Sequence, residues 1–552
     1  MKRLLYITAI IGGILLFSSC EDLDKDPRDK FTDANYWTSE SKAMMVVNMA
    51  YNQMYNADRM WRDEYLSDNM VHTYGSSAQR TIRRGEATSS LGLFKDEWMD
   101  SYGGLKTCHV FLRNIDNVPG LSKGARDRMV DEVRFIRAFI YFRLVNYYGD
   151  VPFFTKELTL DESYNINRTS KATIMEFIHS ELEDIINEGN LPKSDDLPSA
   201  ENGRITVGAA CAFKARAYLY ENNYQKVKEY AGRLITQQDK YGKYGLFTYP
   251  QKKELSYFML FTPENEYNEE VILDITYVPN LRTWSEMKSM APITKYAEIS
   301  SQNPTQELVD SYMTLNGLPV KGAEKDAFYN ENDPYINRDP RLSATVVYDK
   351  YEWLNKDGST DIIRTARGSN TEDSYRGVME KQTKTGYYVR KYYDWTMTRN
   401  NESSLNIIMF RYADVLLMYA EACNEIAKIT QEEWDLTIKP IRQRAGFEEL
   451  AALNYPSGKD QQELQEIIRN ERRVELALEG LRWYDIKRWQ IGNLVLNGYM
   501  HGFKFGDADA SVDGGYIRAD EYKFNNNRDY LWSVPLEQMD LNANLKPNNP
   551  GY

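Results

Sequence analysis

Apolar residues recur at three- and four-residue steps over long stretches of the chain. From Gln461 the run QQELQEIIRNERRVELALEG puts Leu464, Ile467, Ile468, Val474 and Leu478 on one helical face. Gly480 interrupts it, and Leu481, Trp483, Ile486 and Trp489 predict a short second helix docked against the first. Six cations and four anions stand between Arg469 and Arg488, more charge than a helix enclosed by other helices can turn to water. The segment is therefore expected to pair its charges internally and to act as a buried clasp. The same periodicity predicts helices over Ser39 to Tyr55 with Thr38 or Ser39 as cap, Lys95 to Asn117, Lys123 to Tyr148 stopped by Gly149, Ser170 to Glu188, and Thr206 to Gln237. Helix is expected to resume at Ile408 and to run on through Trp434 to Arg444. Between about 240 and 405, Gly, Pro, Asn and aromatic residues punctuate short β-rich runs such as VILDITYV, LSATVVY and GYYVRKYY, predicting small sheets and long loops. Residues 58–92 mix Trp, Tyr, Asp, Asn and Arg without a period and are expected to form a long functional loop.

The N-terminus has a different pattern. Lys2 and Arg3 precede an apolar run from Leu4 to Phe17, then Ser18, Ser19 and Cys20. That run is too short to span a bilayer comfortably but fits a signal peptide, residues 1–19, and the small pair before Cys resembles a bacterial lipobox. Cys20 is then the acceptor of diacylglycerol, and each buried methylene adds about 0.8 kcal/mol of anchoring. The following EDLDKDPRDK, within a tether over 20–34, has charge, Pro27 and no apolar period. An acidic run at that place also resembles a surface-export signal of Bacteroidetes lipoproteins.

Composition narrows the chemistry. A net charge of −13 excludes the clustered cations that nucleic-acid binding needs, so no nucleic-acid partner is expected. The chain carries 41 Tyr beside 10 Trp, rings that serve equally as core filler and as stacking surfaces for sugars. Cys108, Cys211 and Cys423 lie in apolar helical runs, and the four histidines show no ligand spacing, so neither a metal nor a cofactor is expected.

The string NERRVELALEGLRWYDIKRW resembles the hallmark segment of the SusD/RagB family, surface lipoproteins of Bacteroidetes that capture nutrients for a TonB-dependent transporter. DEVRFIRAFIYFRLVNYYGDVPFF, PYINRDPRLSATVVY, TGYYVRKYY, FRYADVLLMYAEACNEI and the closing NPGY are similar to the same family in the same order. Small residues at Ala212, Ala215 and Ala217, then Tyr218, a turn at Glu221 to Asn223, Tyr224 and Ala231 resemble a tetratricopeptide helix pair. The fold class implied is mainly α: a tetratricopeptide-like helical-repeat scaffold with long loops and small β elements. An N-terminal helical region, 35–239, and a C-terminal region, 240–552, are expected to pack as one globular unit.

The resemblance implies noncatalytic glycan binding at the outer membrane, facing the cell exterior, with delivery to a SusC-like TonB-dependent transporter that this protein caps as a lid. A peptide cargo, as in the RagB branch, is the alternative. A secreted glycoside hydrolase is the competitor from another class, and no segment resembles a hydrolase motif. No catalytic residue is assigned. Setting aside tryptophans in scaffold helices leaves Trp61, Trp284, Trp353 and Trp395, which join Asp68, Asn69, Tyr74, Arg80 and Tyr296 as candidate ligand contacts.

Overall fold

Ser39 starts the first helix as its sequence signal predicts: its hydroxyl accepts the Lys42 N–H at 3.4 Å, and α1 runs Glu40–Met54. The computed structural model describes residues 36–73, 77–377, 380–397, 402–505 and 511–552. Cys20, the leader, the tether and Tyr74 lie outside the described residues.

The stretch expected to be a long loop is mostly ordered elements: α2 (Ala57–Tyr65), β1 (Met70–His72) and α3 (Ala78–Arg83). α2 is buried nearly all round, and most of its charges face inward. Arg59 and Arg62 both pair with buried Glu97, and Asp63 meets Arg143 at 3.0 Å. Ala57, Met60, Trp61 and Tyr65 do fall at helical spacing, but the helix is only nine residues long and is followed by irregular chain, so the stretch as a whole shows no sustained period.

Next come α4 (Gly92–Asn114), α5 (Lys123–Tyr148), α6 (Lys171–Glu188), α7 (Val207–Tyr220) and α8 (Tyr224–Thr236). A Cβ on Gly104 would stand 2.8 Å from Ile140 Cδ1, so α4 and α5 approach to a distance that excludes a side chain there. The predicted run from Thr206 to Gln237 breaks at 221–223, where the Asn223 side chain caps α8. Ala212, Ala215 and Ala217 are fully buried, as close helix packing requires.

Then follow β2 (Val271–Ile275), β3 (Gln302–Pro304), β4 (Tyr351–Leu354), β5 (Thr360–Ile363), β6 (Ile407–Arg411), α9 (Tyr412–Ile426), α10 (Ile438–Ala445), α11 (Gln461–Glu475), α12 (Arg482–Arg488), β7 (Gly498–Lys504) and β8 (Tyr516–Tyr522). Ile408 belongs to β6 and not to a helix, because Ile407 and Ile408 ladder against Ile275 and Asp274 of β2. The sheets are antiparallel pairs: β1 with β3, β2 with β6, β4 with β5, β7 with β8. Helices stack in succession, α1 on α4, then α5, α6, α7, α8, α9 and α11, the mainly α repeat-like scaffold that the patterning predicts. One apolar core runs from Trp37 to Leu545 and includes residues from both sides of position 240. No helix among the described residues is long and apolar enough to cross a membrane.

The clasp closes this stack. Arg472 bridges Asp414 of α9 at 2.6 Å and Asp485 of α12 at 2.9 Å. Arg411 reaches Glu270, Glu475 and Glu479, and Arg341 reaches Asp339, Glu471 and Glu475. Burial pushes the Glu475 carboxyl up, but the guanidinium groups of Arg444, Arg411 and Arg341 outweigh it and hold the group far below the usual carboxylate range. Gly480 ends the segment at φ +74, and a Cβ there would lie 2.8 Å from the Met60 carbonyl, so only glycine lets the turn sit on α2.

Candidate functional site: a tyrosine cleft on the clasp

The clasp fixes the segment that builds a large open cleft. Arg341, fully buried, follows the Asp339–Pro340 turn and is locked to α11, so the chain on either side of it has a set position. A cleft of about 540 Å³ opens between the turn at Glu254 to Phe258 and the segment from Asp333 to Leu354. Tyr335 and Tyr348 stack in it at 4.0 Å between ring centres and 14° between planes. Tyr351 stands edge-on to Tyr348 at 5.3 Å, and its hydroxyl donates to the Ser343 carbonyl at 2.7 Å. Phe258 lies on the opposite side, half-buried, with the Arg390 guanidinium 4.4 Å from its ring centre.

Polar groups surround these rings. Asp333, Asp349 and Glu352 line the cleft, and Asp349 Oδ1 accepts the Thr365 and Ala366 N–H groups at 2.8 and 2.9 Å, which fixes its direction. Lys350 turns the chain at φ +63 beside them. Burial raises the Tyr335 and Tyr348 phenols, so both remain neutral hydroxyls able to donate or accept. Stacked rings next to oriented carboxylates suit a ligand with alternating apolar faces and hydroxyl edges.

The residues singled out in sequence are distributed differently from that expectation. Trp61 is fully buried and meets Tyr392 edge-on at 6.3 Å, so it is core and offers no face to a ligand. Asp68 is interior as well: its carboxylate takes Arg482 at 2.8 Å and Arg473 at 2.9 Å, making it the clasp's anchor on the N-terminal half. Asn69 beside it donates to Glu64 and accepts from Arg473. Trp284 is enclosed, with its indole N–H on the Leu405 carbonyl at 2.7 Å, and Trp353 is sandwiched by Arg390 at 3.9 Å. These five positions are corrected to scaffold. Arg80 is half-buried and bonded to Asp520.

Tyr296, 61% exposed at φ +72, and half-buried Trp395, whose N–H meets Glu264 at 2.8 Å, remain accessible. Trp395 packs on the small apolar cluster that includes Trp353 and Tyr393, and Tyr296 adjoins Ala297 of the same cluster in sequence; Trp353 belongs to the β4–β5 hairpin whose Glu352 and Leu354 line the cleft. Sequence reasoning missed Tyr335, Tyr348, Tyr351 and Phe258. The available signal was three tyrosines in PYINRDPRLSATVVYDKYEW around a polar DK turn.

Carboxylates with raised pKa values occur elsewhere. Burial, eased by Asn69 and the Gly480 N–H, leaves Glu64 at about 7, in a fully buried position away from the cleft. Burial also lifts Asp274 to about 7 and Glu266 to about 7, and both accept from Asn406, which holds β2 to the start of β6. Among the described residues no group of His, Cys, Asp and Glu is arranged to hold a metal ion.

The sequence profile described as the SusD family matches residues 269–552, and one described as starch-binding, associating with the outer membrane, matches residues 22–219. The chain belongs to the SusD family. SusD-like protein P2 of Formosa agariphila is 26% identical over the full length of both chains. A SusD-like carbohydrate-binding protein of Bacteroides fragilis superposes with a TM-score of 0.80 at 26% identity, covering 93% of this chain and 100% of that one. Surface glycan-binding protein A of Bacteroides fluxus shares the fold at a TM-score of 0.66 and 20% identity, covering 93% and 100%. The SusD scaffold is thus the mainly α stack described above, with the tyrosine cleft on its irregular middle section.

Proposed function

We propose that this SusD-family protein captures glycan at the cell surface without turning it over, holding oligosaccharide or polysaccharide in the tyrosine cleft. The observation that carries the reading is the Tyr335–Tyr348 stack beside oriented carboxylates in a 540 Å³ cleft. Its relatives' names, carbohydrate-binding and glycan-binding, agree with it. Two or three ring contacts worth roughly 1 kcal/mol each beyond area burial, with a few hydrogen bonds, give high-micromolar to millimolar affinity. Weak capture suits a relay to a SusC-like TonB-dependent transporter, with the protein held at the outer membrane through acylated Cys20. Tyr296 and Trp395 extend the surface that a longer chain of sugars can reach.

The test is calorimetry with a panel of polysaccharides. Tyr348→Ala is expected to weaken the bound glycan by roughly 1 to 3 kcal/mol. Affinity unchanged in that variant would move the site elsewhere.

A further inference from the structure

Two lysines face one asparagine where α5, α6 and α12 meet. Lys487 Nζ donates to the Asn146 backbone carbonyl, and Lys171 Nζ donates to the Asn146 side-chain oxygen at 3.1 Å. Both line a pocket of about 230 Å³ with Tyr220, Tyr484, Tyr530 and Arg488. Among the described residues no carboxylate forms an ion pair with either ammonium. The nearby anions are engaged elsewhere: Asp63 with Arg143, Glu221 with His179, Glu421 and Asp485 with Arg488, and Asp150 with the Lys171 backbone N–H at 2.8 Å.

Lys487 alone would read as a cation placed on the last carbonyls of α5, which favour positive charge. That role does not account for a second lysine on the same residue. Burial first, and then the charge of Lys171, pushes Lys487 down to about 7, and burial lowers Lys171 as well. Two like charges held against one asparagine at half-buried positions are unfavourable unless a negative group stands between them. The Tyr530 hydroxyl accepts the Gly492 N–H at 3.1 Å, which leaves its own proton to donate.

We propose that this pocket binds an oxyanion, a carboxylate or sulfate group, seated between Lys171 and Lys487 and reached by the Tyr530 hydroxyl. The group arrives as a free inorganic ion or as the charged substituent of an acidic sugar. The pocket is distinct from the tyrosine cleft, and failure of glycan binding there would leave this assignment standing.

The experiment titrates the mature chain with sodium sulfate, galacturonate and neutral galactose at constant ionic strength set with sodium chloride, reading heat and melting temperature. Sulfate is expected to bind above the chloride background, and Lys171→Gln, which keeps a partner for Asn146 at a half-buried position, to weaken it about tenfold or more, as loss of a charge-assisted bond does. Galacturonate binding with the same sensitivity, while galactose gives nothing, assigns the site to an acidic sugar. Sulfate alone assigns it to a free ion. Sulfate no better than chloride, or binding unchanged in Lys171→Gln, overturns the proposal, and the Lys171 variant decides the matter even where Lys487→Gln does not fold.

Discussion

Replacing Asp68 by Asn removes one charge from the only carboxylate that the described structure places on both Arg473 and Arg482, and it leaves the shape of the side chain intact. Arg482 is buried and Arg473 mostly so, and although Arg473 keeps its bond to Asn69, the variant leaves both cations without their carboxylate, at a cost of about 3 to 5 kcal/mol. An independent route gives a similar size. Burial opposes ionisation of Asp68, yet Arg473 and Arg482 overcome it and hold the carboxyl at about 2, against roughly 3.9 for an ordinary Asp, which corresponds to about 2.5 kcal/mol. Unfolding entropy near 2.1 cal/mol/K per residue makes each kcal/mol worth about 1 °C in a chain of this length, so the melting temperature should fall by about 3 to 5 °C. The sign of the pH dependence follows from the lowered value. The contribution is fully present above the unfolded value near 3.9 and is lost as pH falls through about 2, so the gap between wild type and variant should close over that window. Scanning calorimetry from pH 7 downwards reads the gap, and glycan titration at pH 7 reads the site. An unmoved melting temperature together with lost glycan binding would refute the assignment of Asp68 to the clasp and return it to the ligand.

Trp61→Ala should cost about 3 to 5 kcal/mol of stability by opening a cavity in the core, read by denaturant unfolding, and should leave neutral-glycan affinity near wild type in the folded fraction. Mass spectrometry of the mature N-terminus should show an acylated Cys20; a terminus elsewhere would sink the surface-lipoprotein reading. Purification from native outer membranes in mild detergent should bring down a SusC-like barrel, and its repeated absence would count against the lid.

Local signals were readable wherever they act locally. Ser39 and Gly149 marked helix ends because each works through bonds a few residues away. The clasp was readable from its charge density, though its partners, Asp68, Arg341, Arg411 and Asp414, lie far away in sequence and carried no mark of that role. Trp61 and Asp68 misled because the charges around them, which read as a polar surface, are paired in the interior, Arg62 with Glu97 and Asp68 with Arg473 and Arg482. The cleft was the least legible part. Tyr335 and Tyr348 stack across a segment whose Arg341 is pinned to α11, a contact far away in sequence, and neither ring differs in kind from the many tyrosines that fill the core. Tryptophan was the wrong guide here, since the enclosed Trp284 and Trp353 serve the scaffold beside the site.

The central claim is capture without turnover in the tyrosine cleft, and one measurement addresses it most directly: calorimetric titration of the mature protein with a polysaccharide panel, followed by chromatography of the same mixtures after long incubation. The account predicts heat of binding for at least one glycan, loss of most of it in a Tyr335→Ala/Tyr348→Ala variant that still melts cooperatively, and an unchanged chain-length profile throughout. Shortened oligosaccharide that disappears on replacing a single carboxylate, or full affinity in the double variant, would contradict it.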